Sequence, residues 1–174
     1  MRKKTGKLVA IFLVVLMLCA LFPLSAAFAA DEWEGYTAIS SQEDLEKIAD
    51  DMSGKYYLTT DITMEGIWTP LGLGESGSYT DKDFSGAPFK GIIDGNGHTI
   101  YGMNTGKLET YAGVGLVAAL HSSGTIRNLT ISNAHVYARY WAGAIAGLNN
   151  GTIENCHVVD SVIAVREGTN PQTE

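Results

Sequence analysis

The apolar residues in the C-terminal half of the chain alternate with polar residues over short stretches. Residues 124–131 match residues 151–158 at an offset of 27, and Val136 and Ile163 keep the same offset. Such alternation is typical of half-buried strands, and a fixed period of this length is typical of stacked repeats. The pattern therefore predicts short strands that stack from one repeat to the next, about 4.8 Å apart.

Two further matches extend this repeat. Residues 115–120 resemble residues 143–148 at an offset of 28, and residues 99–103 resemble residues 125–129 at an offset of 26. These matches predict two interior columns of side chains: Ile100, Ile126 and Ile153 in one, and Met103, Leu129 and Cys156 in the other. Cys156 is thus expected to be a core residue. Asn128 and Asn155 fall at one corner, where stacked side-chain amides can hydrogen-bond.

A helical pattern precedes the strands. Residues 40–43 have the form of a capping box with Ser40 as N-cap. Four apolar residues follow at helical spacing: Leu45, Ile48, Ala49 and Met52. We predict one amphipathic helix at about residues 41–53, which caps the N-terminal end of the stack, and a first pair of strands within residues 56–64. Residues 72–88 are rich in glycine and serine and predict an exposed loop.

The N-terminus predicts a secretory signal peptide over residues 1–29. It has four basic residues, then 15 uncharged residues (8–22), then small residues before Ala30. A helix of that apolar run rises only about 22 Å, which is less than the roughly 30 Å of a membrane's hydrocarbon core. The domain plan is then a β-repeat domain at 30–165 and a polar tail at 166–174. The tail carries no cap, which suggests a truncated repeat protein or an end that a partner covers.

Charge excludes two classes of partner. The signal peptide holds four of the 12 basic residues and none of the 19 acidic ones, so the remaining chain carries a net charge of −11. Nucleic acids and anionic membranes need clustered Lys and Arg, so neither is expected to bind. Cys156 is the only cysteine after the signal peptide, so burial and backbone hydrogen bonds must stabilise the domain without a disulfide.

A search for catalytic groups indicates no enzyme. There is no His-Glu-x-x-His motif, and the four histidines fall on different repeats: His98, His121, His135 and His157. Glycoside hydrolysis needs two facing carboxyl groups, yet Glu154 lies opposite Arg127, and Asp160 lies opposite Asn133. We predict no cofactor and no metal. An acidic group of Asp81, Asp83 and Asp94 could bind Ca²⁺, but such spacing is common in loops that bind nothing.

The aromatic residues near the last two repeats are the best candidates for ligand binding. Tyr137, Tyr140 and Trp141 cluster before Gly143, and Tyr111 falls near the equivalent place one repeat earlier. Aromatic side chains beside a groove can stack on sugar rings or anchor a protein interface. The alternative is that they pack over the corners of the repeats.

Four segments together resemble the GLUG-motif proteins, a family of exported bacterial repeat proteins. They are residues 57–62, 68–72, 89–100 and 142–156. The resemblance implies a right-handed parallel β-helix in secreted or surface-attached proteins, including adhesins. Similar repeats also precede the catalytic part of some immunoglobulin-cleaving metallopeptidases. The sequence departs from the family at Ala144 and Ala146, and at residues 118–119, where the family favours glycine.

The prediction is therefore an all-β protein, a right-handed parallel β-helix with one short capping helix. The expected function is a non-catalytic, adhesin-like module, secreted or at the cell surface, which binds an extracellular protein or carbohydrate and self-associates through its open C-terminal end. One alternative is the accessory N-terminal region of a larger surface metallopeptidase. The other is a β-helix enzyme that acts on polysaccharides.

Overall fold

The structure, a computed structural model, describes four stretches of the chain: residues 32–73, 86–107, 113–138 and 141–165. The chain divides into two compact units, residues 1–35 and residues 36–174. Several sequence predictions lie outside the described residues: the signal peptide, most of the loop at 72–88, the tail at 166–174, and the side chains of Asp81, Asp83, Tyr111 and Tyr140.

In the second unit, the described residues form short strands, one α-helix and one 3₁₀-helix. Helix α1 spans Gln42–Lys47, and the 3₁₀-helix follows at Ile48–Asp50. The strands in chain order are β1 (Thr37–Ile39), β2 (Lys55–Leu58), β3 (Ile62–Thr63), β4 (Ile92–Asp94), β5 (Thr99–Tyr101), β6 (Asn104–Lys107), β7 (Val117–Leu120), β8 (Thr125–Arg127), β9 (Thr130–Ser132), β10 (His135–Ala138), β11 (Ala146–Asn149), β12 (Thr152–Glu154), β13 (His157–Val159) and β14 (Val162–Val165).

These strands form four sheets, and every pairing among them is parallel. The strand orders are β1-β2-β4-β8-β12 in sheet 1, β3-β5-β9-β13 in sheet 2, β6-β10-β14 in sheet 3 and β7-β11 in sheet 4. Along the chain from β4 onwards, successive strands belong to sheets 1, 2, 3 and 4 in turn, after which the next strand belongs to sheet 1 again. We call each passage a circuit: I (β2–β3), II (β4–β7), III (β8–β11) and IV (β12–β14). The prediction of an all-β, parallel fold with one short helix is confirmed.

Apolar side chains of successive circuits occupy matching positions. In sheet 1, Ile93, Ile126 and Ile153 are direct partners, and in sheet 3 Val136 is the partner of Ile163. Ile93 and Ile126 are fully buried. The predicted pairing at an offset of 27 is therefore confirmed between circuits III and IV. The buried isoleucines of sheet 1 belong to the core, which lies between the sheets.

The predicted position of Ile100 was wrong. Ile100 pairs with Ile131 in sheet 2, not with Ile126, and Met103 precedes β6, whose Asn104 pairs with His135. Both β8 and β9 begin with Thr-Ile, at Thr125 and at Thr130. The alternation of apolar and polar residues is the same in the two strands, so it cannot show which of them pairs with the strand of Ile100. The true partner of Ile126 in circuit II is Ile93, 33 residues earlier.

The register of sheet 4 also differs from the prediction. Val117 pairs with Ala146 and Leu120 with Asn149, an offset of 29 rather than 28. The bridge between Val114 and Ala142 just before these strands keeps the offset of 28, so one extra residue enters circuit III before β11. An added residue of this kind is the effect of a β-bulge, which realigns the strand that follows it.

The N-terminal helix is shorter than predicted, and its cap is a different residue. The N-cap is Ser41, whose hydroxyl accepts from the Asp44 N–H, while the predicted cap, Ser40, donates its N–H and hydroxyl to the Asp44 carboxylate. Leu45 and Ile48 are buried, but Ala49 is exposed. A strand missing from the prediction, β1, precedes the helix and pairs with β2.

The corners of the circuits are held by asparagine. Asn128 and Asn155 both adopt left-handed backbone conformations, with φ of 53° and 49°, and the Asn155 Nδ2 donates to the Asn128 Oδ1 at 2.8 Å. This confirms the predicted stacking of the two amides. At the equivalent corner of circuit II stands Gly95, where a Cβ atom would lie 2.5 Å from the Leu129 Cα, so only glycine fits.

Candidate functional site

The structure describes two of the four predicted aromatic site residues, Tyr137 and Trp141. Tyr137 lies on β10 with 37% of its surface exposed, and Trp141 lies just beyond the strand with 40% exposed. Neither ring is therefore buried over a corner, although partial packing accounts for the covered part of each. Among the described residues, no ring contact joins the two, so they do not form a single aromatic platform.

Backbone hydrogen bonds hold the segment that carries Trp141 against circuit II. The Trp141 carbonyl accepts from the Val114 N–H at 2.9 Å, and the Gly143 N–H donates to the Val114 carbonyl at 3.0 Å. A fixed backbone reduces the conformational entropy that an aromatic anchor loses when a ligand binds. The backbone of Trp141 is thus held in place by its pairing with Val114.

A second polar and aromatic cluster lies on the outer face of sheet 1, and the sequence did not reveal it. The rings of Tyr36 and Tyr57 meet edge to face at 6.5 Å, and the Lys55 Nζ lies 5.7 Å from the centre of the Tyr36 ring. Beside Tyr57 stands its strand partner Asp94, followed by Arg127.

Asp94 is the acidic centre of this cluster, and it is almost fully buried, with 2% of its surface exposed. Its Oδ2 accepts from the Arg127 Nε at 2.6 Å, and its Oδ1 accepts from the Asn128 Nδ2 at 3.1 Å and from the Asn96 N–H at 2.8 Å. The hydrogen bond to Asp94 raises the pKa of Arg127. These contacts engage both oxygens, so Asp94 is not an open calcium ligand.

The sequence did not predict this ion pair, because its two residues are not separated by the length of the repeat. Asp94 and Arg127 are 33 residues apart, whereas the sequence search followed an offset of about 27. A usable signal was present nonetheless, because each residue directly follows an isoleucine of the sheet 1 core. Residues in equal phase on neighbouring strands face the same side of a sheet.

The histidines lie apart, on different sheets or circuits, as expected. The His98 Nδ1 lies 3.3 Å from the Asp61 Oδ1, which also accepts from the Thr99 N–H. His121 pairs with Ser123 at 3.0 Å. Across the described ranges, no three side chains of His, Cys, Asp or Glu are placed to hold a metal ion.

Cys156 is half-buried rather than fully buried. It packs against the hydrophobic cluster, its Sγ lies 3.3 Å from the Glu154 carbonyl oxygen, and burial raises the pKa of its thiol. Its counterpart one circuit earlier, Leu129, has no exposed surface. The difference arises because no described residue covers Cys156 on the far side of circuit IV.

The chain is similar to Halomucin of Haloquadratum walsbyi (strain DSM 16790 / HBSQ001), with 42% identity over an alignment of 132 residues. The alignment covers 71% of this chain and 1% of Halomucin. The chain thus spans about 1% of the length of that protein.

No protein-family model matches the chain, and no solved structure matches it. The resemblance to the GLUG-motif proteins therefore stays a prediction. No helix in the described part of the chain has the length and hydropathy needed to cross a membrane.

Proposed function

We propose that this chain is a non-catalytic, adhesin-like interaction module, secreted or displayed at the cell surface, and built as a right-handed parallel β-helix of the GLUG-motif type. The fixed order in which the circuits visit the four sheets supports the helical architecture. The handedness follows the rule that parallel strands in one sheet are joined by right-handed connections. Helix α1 is proposed to cap the N-terminal end of this stack.

The proposed location rests on two independent features of the sequence. Residues 1–29 have the three-part composition of a secretory signal peptide. Halomucin is similar over most of the chain. Without the signal peptide the chain has a net charge of −11, which repels nucleic acids and is compatible with an extracellular module.

We propose that Tyr137 and Trp141 contact the ligand, together with Tyr111 and Tyr140, and that the ligand is a carbohydrate. The observation that carries this proposal is the exposure of Tyr137 and Trp141 on a scaffold of paired strands. Exposed aromatic rings stack on the apolar faces of sugar rings without needing charge. An extracellular protein anchored by the same residues is the second candidate.

A glycan array with the purified protein and single variants tests the proposal. Trp141→Ala and Tyr137→Ala are each expected to lower the affinity at least about tenfold. Aromatic side chains that become buried when a partner binds contribute about 2 kcal/mol of binding free energy. Tyr101→Ala is the matched control, because Tyr101 is equally exposed but lies on β5 in sheet 2. Circular dichroism verifies that each variant folds.

The outcomes separate the candidates. Binding to a glycan that is lost in Trp141→Ala and kept in Tyr101→Ala supports the carbohydrate proposal. Equal loss in all three variants would contradict the assignment of the site. Cleavage of an array polysaccharide by the wild-type protein would instead overturn the non-catalytic function.

A further inference from the structure

Two segments of the chain have the pattern Asn-x-Thr, in which the asparagine of an exported protein can accept an N-linked glycan. They are residues 128–130 and residues 150–152, and neither has proline in the middle. Both lie where one strand ends and the next begins: Asn128 follows β8, and Asn150 follows β11. The pattern alone does not distinguish the two asparagines, but the structure gives their side chains opposite surroundings.

The side-chain amide of Asn128 is part of the fold. Its Nδ2 donates to the Asp94 Oδ1 at 3.1 Å, and its Oδ1 accepts from the Asn155 Nδ2 at 2.8 Å. Asp94 is almost fully buried. N-glycosylation attaches a sugar to Nδ2, so a glycan on Asn128 would need space beside a buried carboxylate and between side chains of circuits II and IV. A modified Asn128 is therefore incompatible with the pairing of the circuits at this corner.

The side chain of Asn150 has no such role. Asn150 is exposed, and within the described residues its amide makes no hydrogen bond. The backbone around it is nevertheless fixed, because the Asn150 N–H donates to the Leu120 carbonyl at 2.9 Å and the Gly151 N–H donates to the Asn149 Oδ1 at 2.9 Å. Thr152 is exposed as well. This corner therefore presents both required side chains, the amide and the hydroxyl, on an ordered turn.

The exposure of Asn150 does not depend on where the described residues stop. Strand β7 pairs with β11, and β8 pairs with β12, so the turn at residues 121–124 is the counterpart of the turn that holds Asn150. Ser122 and Ser123 in that counterpart are exposed, although both strands that flank them are paired on this side. Pairing along the strands thus leaves the turn between them accessible, and further strands beyond β11 and β12 would not cover Asn150.

We propose that Asn150 is an N-glycosylation site and that Asn128 is not. The donor is an oligosaccharide whose first sugar is joined through its C1 atom to the pyrophosphate of a polyprenyl lipid. A bond forms between the Asn150 Nδ2 and C1, and the bond between C1 and the pyrophosphate oxygen breaks. The lipid pyrophosphate leaves with the electron pair of that bond, and the amide releases one proton. A separate transferase catalyses the step and recognises the Thr152 hydroxyl two residues on.

The inference rests on the proposed function, because the chain meets such a transferase only when it is exported. It adds a covalent glycan to the module itself, at the corner between sheets 4 and 1. A glycan at an exposed turn is bulky and hydrophilic, and it leaves the paired strands on both sides unchanged.

Mass spectrometry of intact glycopeptides tests the inference on the protein isolated from the cells that produce it. Trypsin cleaves after Arg127, Arg139 and Arg166, so the two asparagines fall in separate peptides, 128–139 and 140–166. We expect a glycan on the peptide of residues 140–166, localised to Asn150 by fragmentation. The peptide of residues 128–139 should have its unmodified mass.

Single variants expressed in the same cells identify what the transferase requires. Asn150→Gln and Thr152→Ala should each abolish the glycan, whereas Thr152→Ser should keep it because serine retains the hydroxyl. Asn155→Gln is the matched control: Asn155 is an exposed asparagine of the same peptide, but His157 stands two residues after it, so the glycan should remain. Circular dichroism verifies that each variant folds.

The outcomes separate the inference from the proposed function. An unmodified Asn150 on exported protein that has lost residues 1–29 would overturn the inference and leave the proposed export intact. An unmodified Asn150 on intracellular protein that retains residues 1–29 would contradict both. A glycan on Asn128 of the folded protein, or one that persists on Asn150 in Thr152→Ala, would also overturn the inference.

Discussion

Asp94 is an acidic side chain that hardly contacts water, and its neighbours explain how the fold tolerates it. It sits in the outward row of sheet 1, but Tyr57 on one side and Arg127 on the other belong to the same row. Three hydrogen bonds reach its two carboxylate oxygens. A buried carboxyl group is stable in a fold only when it is paired and hydrogen-bonded in this way.

Replacing Arg127 with methionine should destabilise the protein. The substitution keeps much of the side chain's volume but leaves Asp94 without its cation, and removing one partner of a buried ion pair costs about 3 kcal/mol. Arg127 is partly exposed, with 36% of its side-chain surface accessible, which moderates the effect. We therefore expect a loss of about 2 kcal/mol in the free energy of unfolding, measured by urea denaturation.

Glu154→Gln provides the matched control, because Glu154 lies in the same row and is exposed. Its effect should stay within about 0.5 kcal/mol, as for most surface substitutions. A similar cost for both variants would mean that Asp94 gains no specific stability from Arg127.

The cluster around Asp94 also marks a limit of sequence reasoning at the residue scale. Lys55, Tyr36 and Tyr57 come together with Arg127 only because four strands align in sheet 1. Nothing local to any of these residues indicates that alignment. The sequence left open whether Tyr137 and Trp141 pack over the corners or contact a ligand. Both are partly exposed in the structure, and the binding role of all four aromatic residues, Tyr111 and Tyr140 included, stays a prediction.

Among the elements, α1 shows how narrowly a cap is defined. Two adjacent serines precede the helix, and the sequence cannot tell which one adopts the extended conformation of an N-cap. In the structure, Ser41 has φ of −149° and ψ of 167°, and its hydroxyl bonds to the Asp44 N–H. Ser40 reaches the carboxylate of Asp44 instead, so both serines contribute but in different roles.

Ser41→Ala is therefore expected to cost about 1 kcal/mol of stability, the usual value for a lost N-cap. Ser40→Ala should cost less, because its hydroxyl binds an exposed carboxylate that water can satisfy. Thermal unfolding followed by circular dichroism measures both variants. Equal costs, or a larger cost for Ser40→Ala, would contradict the assignment of Ser41 as the cap.

The bond from the Ser40 N–H also lowers the pKa of Asp44 below its ordinary value of 3.8. A lowered pKa in the folded state stabilises the protein above the ordinary pKa, and this contribution is lost as the pH falls through the lowered value. The stability difference between the wild type and Asp44→Asn should therefore shrink in acid.

The registers of the strands could be predicted where the circuits have equal lengths and not where they differ. From Ile126 to Ile153 the spacing is 27 residues, and that pairing was predicted correctly. From Ile93 to Ile126 it is 33. Circuit II has two more residues than circuit III in each of three places: between its first two strands, between its third and fourth strands, and in the return to sheet 1. Insertions at turns leave the stacking intact but remove the constant period on which a sequence search depends. Strand β1 was missed because three residues are too few to display an alternation.

At the scale of the whole molecule, the described circuits form an array in which each circuit pairs with the circuits next to it in the chain. The pairings of circuit III reach circuit II on one side and circuit IV on the other. The stability of such an array is roughly a sum of the terms for single repeats and for the interfaces between neighbours. Circuit IV has one described interface where circuit III has two, so local opening should begin at circuit IV.

Hydrogen exchange followed by mass spectrometry tests this order of opening. Peptides that cover residues 152–165 should exchange at least about tenfold faster than peptides that cover residues 125–138, since each 1.4 kcal/mol of opening free energy changes the rate by a factor of about ten. The two segments have the same strand pattern, so the comparison isolates the number of neighbours. Equal exchange of the two segments would mean that the domain opens as one cooperative unit, and the description of stability as a sum over neighbouring circuits would be wrong.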